Sequence, residues 1–280
     1  MRGARGLMRR GECARGGAVR AGWLLLICGL VGGCAARRLT LPTDAGTPLP
    51  DAAAVHAQVA AACAGVRTLT AELGLSGRAG AEGLRGRVIA GFERPGSMRL
   101  EGVAPFGAPA FILAARADTA VLLLPRDQRV VRGASARDIL GALTGLALAP
   151  DDLQAILTGC VVPSPRPTAG RTHGNGWASI DLEGGATIYL QRSGSQWRVR
   201  AARREGWQIE YPDWTGAFPQ TVRLQAETPL PVTLTATVGQ LEANVDLPAN
   251  AFTADIPADA QPLTLEELRD AGPLRDAVGQ

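Results

Sequence analysis

The sequence predicts a mainly β fold: a half-open antiparallel β-barrel of about eleven strands, with short helices forming an internal lid. Three observations predict it. Runs of strand length with two-residue alternation dominate residues 69–245, and Gly184-Gly185 and Ser193-Gly194 sit between such runs as hairpin turns. Two stretches of helical period interrupt them. Residues 135–146 place Ile139, Leu140, Leu143 and Leu146 on one stripe, and Pro150 opens a second helix carrying Leu153, Ile156 and Leu157. Finally, an antiparallel sheet this long must close or be covered, because open edges pair with other chains. A curled sheet with helices inside its mouth meets that requirement.

The first 33 residues read as an export signal. Residues 1–20 hold six Arg and one acid, Glu12, and residues 21–31 form an apolar core of 11 residues. That core is shorter than the roughly 20 residues a membrane span requires. Met8 offers a second start, and Arg9-Arg10 sits in flanks that suit ordinary secretion better than twin-arginine export. Val31-Gly32-Gly33-Cys34 resembles the lipobox of bacterial lipoproteins, an aliphatic residue and two small ones before Cys. The thiol is needed to take diacylglycerol in a thioether, and the small residues let the peptidase approach the backbone. The alternative is a soluble secreted protein cleaved nearby. In lipoproteins an Asp directly after the Cys signals inner-membrane retention. Ala35 stands there, so the resemblance implies sorting to the outer membrane, with acyl chains on Cys34 as the anchor.

Without the signal the electrostatics change. The remaining 247 residues hold 23 Arg, no Lys and 25 acids, so the basic balance of the whole chain belongs to its first residues. No basic run is left to bind nucleic acid. The length suits a single domain over residues 51–280, behind a lipidated tether over 34–50. Cys63 and Cys160 remain after the signal and Cys34 are set aside. In an oxidising compartment two such cysteines pair, or stay as two buried thiols.

In chain order, residues 35–50 carry Pro42, Gly46, Pro48 and Pro50 and read as a tether of about 50 Å reach. Residues 51–66 are Ala-rich behind an N-cap Asp51 and form a helix. Strands follow at 69–79, 84–94 and 99–104, then a turn at Pro105-Phe106-Gly107, then strands at 109–115, 120–124 and 128–132. Phe106 either folds back onto the sheet or stands out in the turn. After the two lid helices comes a Pro-rich loop at 161–170. Strands resume at 176–182, 186–191, 196–203, 207–211, 219–226 and 232–238, with 241–245 continuing the last. A weak helix over 263–277 is broken by Gly272-Pro273.

Chemistry is sparse. His56 and His173 have no Cys, Asp or Glu at metal-ligand spacing and read as surface residues. Leu75-Ser76-Gly77 is strand, not a nucleophile elbow, and no phosphate-binding glycine loop is present. Asp151-Asp152 follows Pro150 and serves a helix N-terminus. No catalytic site, metal or cofactor is expected.

The order of several motifs resembles the LolB family of outer-membrane lipoprotein receptors, within the LolA/LolB-like superfamily. Leu75-Ser76-Gly77-Arg78 is similar to its first strand, and residues 100–111 to its strand, Pro-x-Gly, strand segment. Leu143-Thr144-Gly145-Leu146, followed by Pro150, Leu153, Ile156, Leu157 and Gly159, resembles its lid. Gly206-Trp207-Gln208-Ile209-Glu210-Tyr211 resembles its G-W-x-I-x-Y strand. The likeness spans residues 51–255, and departs in Cys63, Cys160 and the lack of a Trp in the first helix. It implies an unclosed barrel whose lidded apolar cavity binds acyl chains. Its partners would be acylated lipoproteins, a LolA-type periplasmic carrier and the outer membrane. The cavity is expected to gather Leu100, Phe111, Leu113, Leu123, Ile139, Leu143, Ile156, Trp197 and Val199. Phe106 takes the place of an exposed apolar residue that touches the membrane. The alternative is an accessory outer-membrane lipoprotein of the same fold that binds a protein partner or another hydrophobic ligand.

Overall fold

In the computed structural model the described residues are 39–104, 106–160, 165–227, 231–248 and 250–271. The export signal, Cys34, Pro105 and the end of the expected C-terminal helix lie outside them. The tether contributes a short β1 (Thr47–Pro48) and the Ala-rich segment forms α1 (Ala52–Ala64). Long hairpin strands follow, β2 (Thr68–Ala79), β3 (Glu82–Glu93) and β4 (Ser97–Val103), then the shorter β5 (Ile112–Arg116), β6 (Thr119–Leu124) and β7 (Arg129–Ala134). The lid is α2 (Ala136–Thr144) and α3 (Pro150–Thr158). The second half runs β8 (Pro167–Thr172), β9 (Trp177–Leu182), β10 (Thr187–Ser193), β11 (Gln196–Arg204) and β12 (Trp207–Glu210). A small hairpin, β13 (Trp214–Thr215) and β14 (Phe218–Pro219), precedes β15 (Thr221–Ala226) and β16 (Val232–Ala243). A C-terminal strap ends in β17 (Gln261–Pro262) and α4 (Leu265–Ala271).

Fifteen strands form one sheet in the order β1-β8-β9-β10-β11-β12-β15-β16-β2-β3-β4-β5-β6-β7-β17, and its two edges do not pair with each other. Only the β17–β7 pair at one edge is parallel among these strands. Alternation sorts the side chains. Ala71, Ala90, Leu100, Leu113, Leu122 and Val131 stand opposite one another in a single inward row. The same pairing puts Ile89, Glu101, Ile112, Leu123 and Val130 in a row on the outer face. Leu123 is therefore not a cavity residue. In the run Leu122-Leu123-Leu124 the apolar pattern hides which neighbour faces in, and a shift of one residue changes the face.

Other local expectations change as well. The Pro-rich loop gives way to a strand at Pro167, the first residue of β8, which has only the short β1 beyond it. Proline is tolerated at such a position. Asp51 starts α1 without a side-chain cap. Both histidines are buried: His56 is 8% exposed, and the His173 side chain 4%.

The helices cap cleanly where the sequence allows. Ser135 Oγ accepts from Asp138 N at 3.1 Å to start α2, and Asp152 Oδ2 accepts from Ala149 N at 3.0 Å to start α3. Thr264 and Glu267 bond reciprocally through backbone and side chain to start α4. These ends matter because the helices fill the concave side. The inner face of β2–β7 packs with α2, Leu157 of α3 and Leu268 of α4, while the inner face of β9–β12 packs with Ala52, Val55 and Val59 of α1.

Candidate functional site

The lid covers the concave face unevenly, and α3 is its hub. Leu153 and Ile156 on α3 touch neighbouring apolar clusters, so this one helix bridges the two halves of the curled sheet. Its C-terminus is pinned. Cys63 at the end of α1 is disulfide-bonded to Cys160 just past α3, with Cα atoms 5.7 Å apart, and Ala155 packs beside the pair. Gln154 adds a polar tie from within, its Nε2 donating to Val66 and Arg67 carbonyls at 3.3 Å each. The helix ends on Gly159 with φ +71°, where a Cβ would lie 2.5 Å from the Trp214 ring. Only glycine gives both that turn and that contact.

Inside, the apolar groups divide into a packed part and an accessible part. Met98, Leu113, Leu122, Ile139 and Leu268 are 0% exposed and form ordinary core. Leu75, Leu100, Phe111, Leu153, Ile209 and Leu234 belong to the interior clusters yet remain half-buried. A closed core would not leave that many interior apolar side chains in contact with solvent. Most of them lie toward one end of the sheet. There the turns at Gly80-Ala81, Gly184-Gly185 and Glu205-Gly206 cluster, and β4 runs out into the Phe106 loop. These half-buried side chains form a partly covered apolar patch, the mouth, toward the Phe106 end, beside the buried Leu146, Leu148, Leu224, Ala226 and Val232.

The expected cavity residues separate on this basis. Leu100, Phe111, Leu143 and Ile156 are half-buried at the lid–sheet boundary. Leu113, Ile139 and Val199 are packed core, at 0%, 0% and 1% exposure. Trp197 sits at the other end of β11, with Arg192 stacked 5.5 Å from its ring centroid. Leu75, Leu153, Ile209 and Leu234 belong to the mouth and were not among the expected cavity residues, because alternation marks an inward face without marking how much of it a helix covers. Tyr211, fully buried where α1 packs on β9–β11, has its phenol pushed well above the usual range by desolvation, so it stays neutral.

Phe106 is 89% exposed and does not fold back onto the sheet. Arg126, in the β6–β7 turn, donates through Nη2 to the Phe106 carbonyl at 3.3 Å, which holds the loop from behind. Among the described residues, no three His, Cys, Asp or Glu groups come together as a metal site, and no helix is long and apolar enough to cross a membrane.

No protein-family model and no curated protein sequence matches this chain. Solved structures do. Its neighbours there include LolA-superfamily and lipoprotein-sorting proteins. One is a candidate outer membrane lipoprotein-sorting protein domain from Vibrio parahaemolyticus, at TM-score 0.49 and 13% identity, covering 72% of this chain and 97% of that one. Another is a LolA-superfamily protein from Nitrosomonas europaea, at TM-score 0.49 and 9% identity, covering 71% and 98%. The lipoprotein LppX of Mycobacterium tuberculosis is similar at TM-score 0.31 and 10% identity, covering 71% and 99%.

Proposed function

We propose that this chain is a lipid-anchored receptor on the periplasmic side of the outer membrane. It takes acyl chains of lipoproteins into the lidded mouth and hands them to the bilayer. Residues 1–33 act as the signal, Cys34 carries the anchor, and 51–280 form the binding domain. The observation that carries the proposal is the set of interior apolar side chains left half-buried at the Phe106 end. An acyl chain completes that surface without any directed bond. Each buried methylene contributes about 0.8 kcal/mol, so ten of them supply about 8 kcal/mol. A LolA-type carrier would deliver the cargo, and transfer needs no nucleotide if this mouth buries more of the acyl chain than the carrier does.

The test is direct. Mature protein, purified in mild detergent and exchanged to buffer, is titrated with a fluorescent long-chain fatty acid, and lipids co-purifying from cells are extracted and weighed by mass spectrometry. Saturable binding, displaced by a diacylated lipopeptide, supports the receptor. A folded protein that neither binds the probe nor carries acyl material rejects it.

A further inference from the structure

The tether is not free over its whole length. His173 follows β8, and its ring is buried between two partners. Nδ1 lies 2.9 Å from Asp44 Oδ1 on the tether, and Nε2 lies 2.9 Å from Ser179 Oγ in β9. An ionised carboxylate only accepts, so Nδ1 carries the proton shared with Asp44. In the neutral ring Nε2 then accepts from the Ser179 hydroxyl. Further contacts fasten the same stretch. Thr47 and Thr172 hydroxyls are 2.7 Å apart, Arg171 donates to the Ala45 carbonyl at 3.0 Å, and Leu49 N donates to Gly170 O at 2.9 Å. Gly46 turns at φ +61° against the ring. A Cβ there would lie 2.8 Å from both His173 Cε1 and the Thr172 carbonyl.

In atoms this is the Asp–His–Ser relay of hydrolases. Its setting is different. Ser179 is 7% exposed and sits mid-strand with β8 and β10 paired on either side. The three described clefts, of about 420, 450 and 180 Å3, are lined by neither Ser179 nor His173. Ser179 is buried between two paired strands, and that pairing occupies the backbone donors an oxyanion would need.

We propose that Asp44, His173 and Ser179 form a clasp that pins the tether to the sheet edge and sets how far the domain can stand from its anchor. The consequence for reach rests on Cys34 being the lipidated residue. With the clasp closed, the leash from Cys34 to Asp44 spans at most about 30 Å; with the clasp and the contacts of Ala45, Thr47 and Leu49 all released, the chain to Pro50 spans at most about 50 Å. A globular domain of this length is about 45 Å across. The closed leash is thus shorter than the domain, and the open one is longer. Closed, only faces within about 30 Å of Asp44 can reach the bilayer. Open, the domain can turn over.

Hydrogen exchange at Gly46 and Leu49 tests the clasp, using the mature chain with Cys34→Ser so that no lipid interferes. In the wild-type background both amides should be protected. The Gly46 amide donates to Asp44 Oδ1 at 2.9 Å, so in Asp44→Ala the informative amide is Leu49, which donates to Gly170 O. Asp44→Ala should speed exchange at Leu49, and Ser179→Ala exchange at Gly46 and Leu49, at least tenfold, with β10 and β11 amides unchanged. Unchanged exchange at Leu49 in Asp44→Ala and at both amides in Ser179→Ala overturns the clasp. The reach is read on lipidated protein in vesicles, by energy transfer from a membrane dye to a label on the domain. Asp44→Ala combined with Arg171→Ala and Thr172→Ala, which also removes the Ala45 and Thr47 side-chain ties, should broaden the distance distribution beyond about 30 Å, and an unchanged distribution overturns the leash. Mass spectrometry showing no lipid on Cys34 would remove the anchor and the receptor proposal while leaving the exchange result intact, so the two failures are distinguishable.

Discussion

Phe106, 89% exposed on a turn, presents its whole apolar side chain to whatever the turn meets. Burying such a side chain is worth about 1.5–3 kcal/mol, enough to orient an anchored domain and too little to hold it at a membrane alone. Phe106→Glu should therefore leave the thermal midpoint and the anchoring unchanged while slowing release of cargo into vesicles. Phe106→Leu should transfer at nearly the wild-type rate. Equal transfer by the Glu variant would remove Phe106 from the membrane contact. Asp44 gives a second prediction at this scale. The hydrogen bond from His173 holds its carboxyl below the ordinary value of 3.8. A carboxylate with a depressed value stabilises its contact above the unfolded value and loses that contribution as pH falls through the folded one. Tether protection should thus be steady above pH 3.8 and fall below it, with Arg171 the other charged group bonded to this stretch. Asp44→Asn should show no such fall. The exposed setting of Phe106 was legible because Pro and Gly flank it. The role of His173 was not, since Asp44 lies 129 residues away and only the β1–β8 pairing brings it near.

At the scale of elements, the lid depends on how its ends are held. The Cys63–Cys160 bond closes a separation of 97 residues and joins the end of α1 to the end of α3. The chain-entropy account gives at most about 4.7 kcal/mol for a loop of that length. The double variant Cys63→Ala, Cys160→Ala should unfold at lower denaturant with a steeper slope, because the uncrosslinked unfolded chain exposes more surface, and α3 amides should lose protection before those of β2 and β3. Equal protection across these elements would mean that Gln154 and the apolar contacts alone hold α3. Ser135→Ala, which removes the α2 cap, should cost about 1 kcal/mol. Both lid helices were legible from their stripes and from Pro150. The strap ending in α4 was undervalued, because a seven-residue helix has too few turns for its period to show, although Leu268 is completely buried. β8 was missed because prolines marked its start as a loop.

For the whole molecule, a half-open barrel must be solid enough to be stable and open enough to bind. Here fully packed side chains and half-buried ones share the concave side, and this division sets the outcome of placing a charge. Ile139 on α2 is 0% exposed among Met98, Leu113 and Leu122. A carboxylate there has no partner and no water. The cost exceeds about 4–5 kcal/mol, a large share of the 5–15 kcal/mol that a domain possesses. Ile139→Asp should unfold the protein or shift its midpoint sharply. Leu153 is on the neighbouring helix, with its side chain between two apolar clusters and half-buried. A carboxylate there can reach solvent through the mouth, so Leu153→Asp should fold with a modest loss of stability. An acyl chain entering the mouth would strip that water from the charge, so binding of the fatty-acid probe should fall at least tenfold. Circular dichroism and the probe titration, run together on the two variants, separate core from mouth. If Leu153→Asp folds and binds as tightly as the wild type, acyl chains do not enter beneath α3, and the lid covers packed core alone.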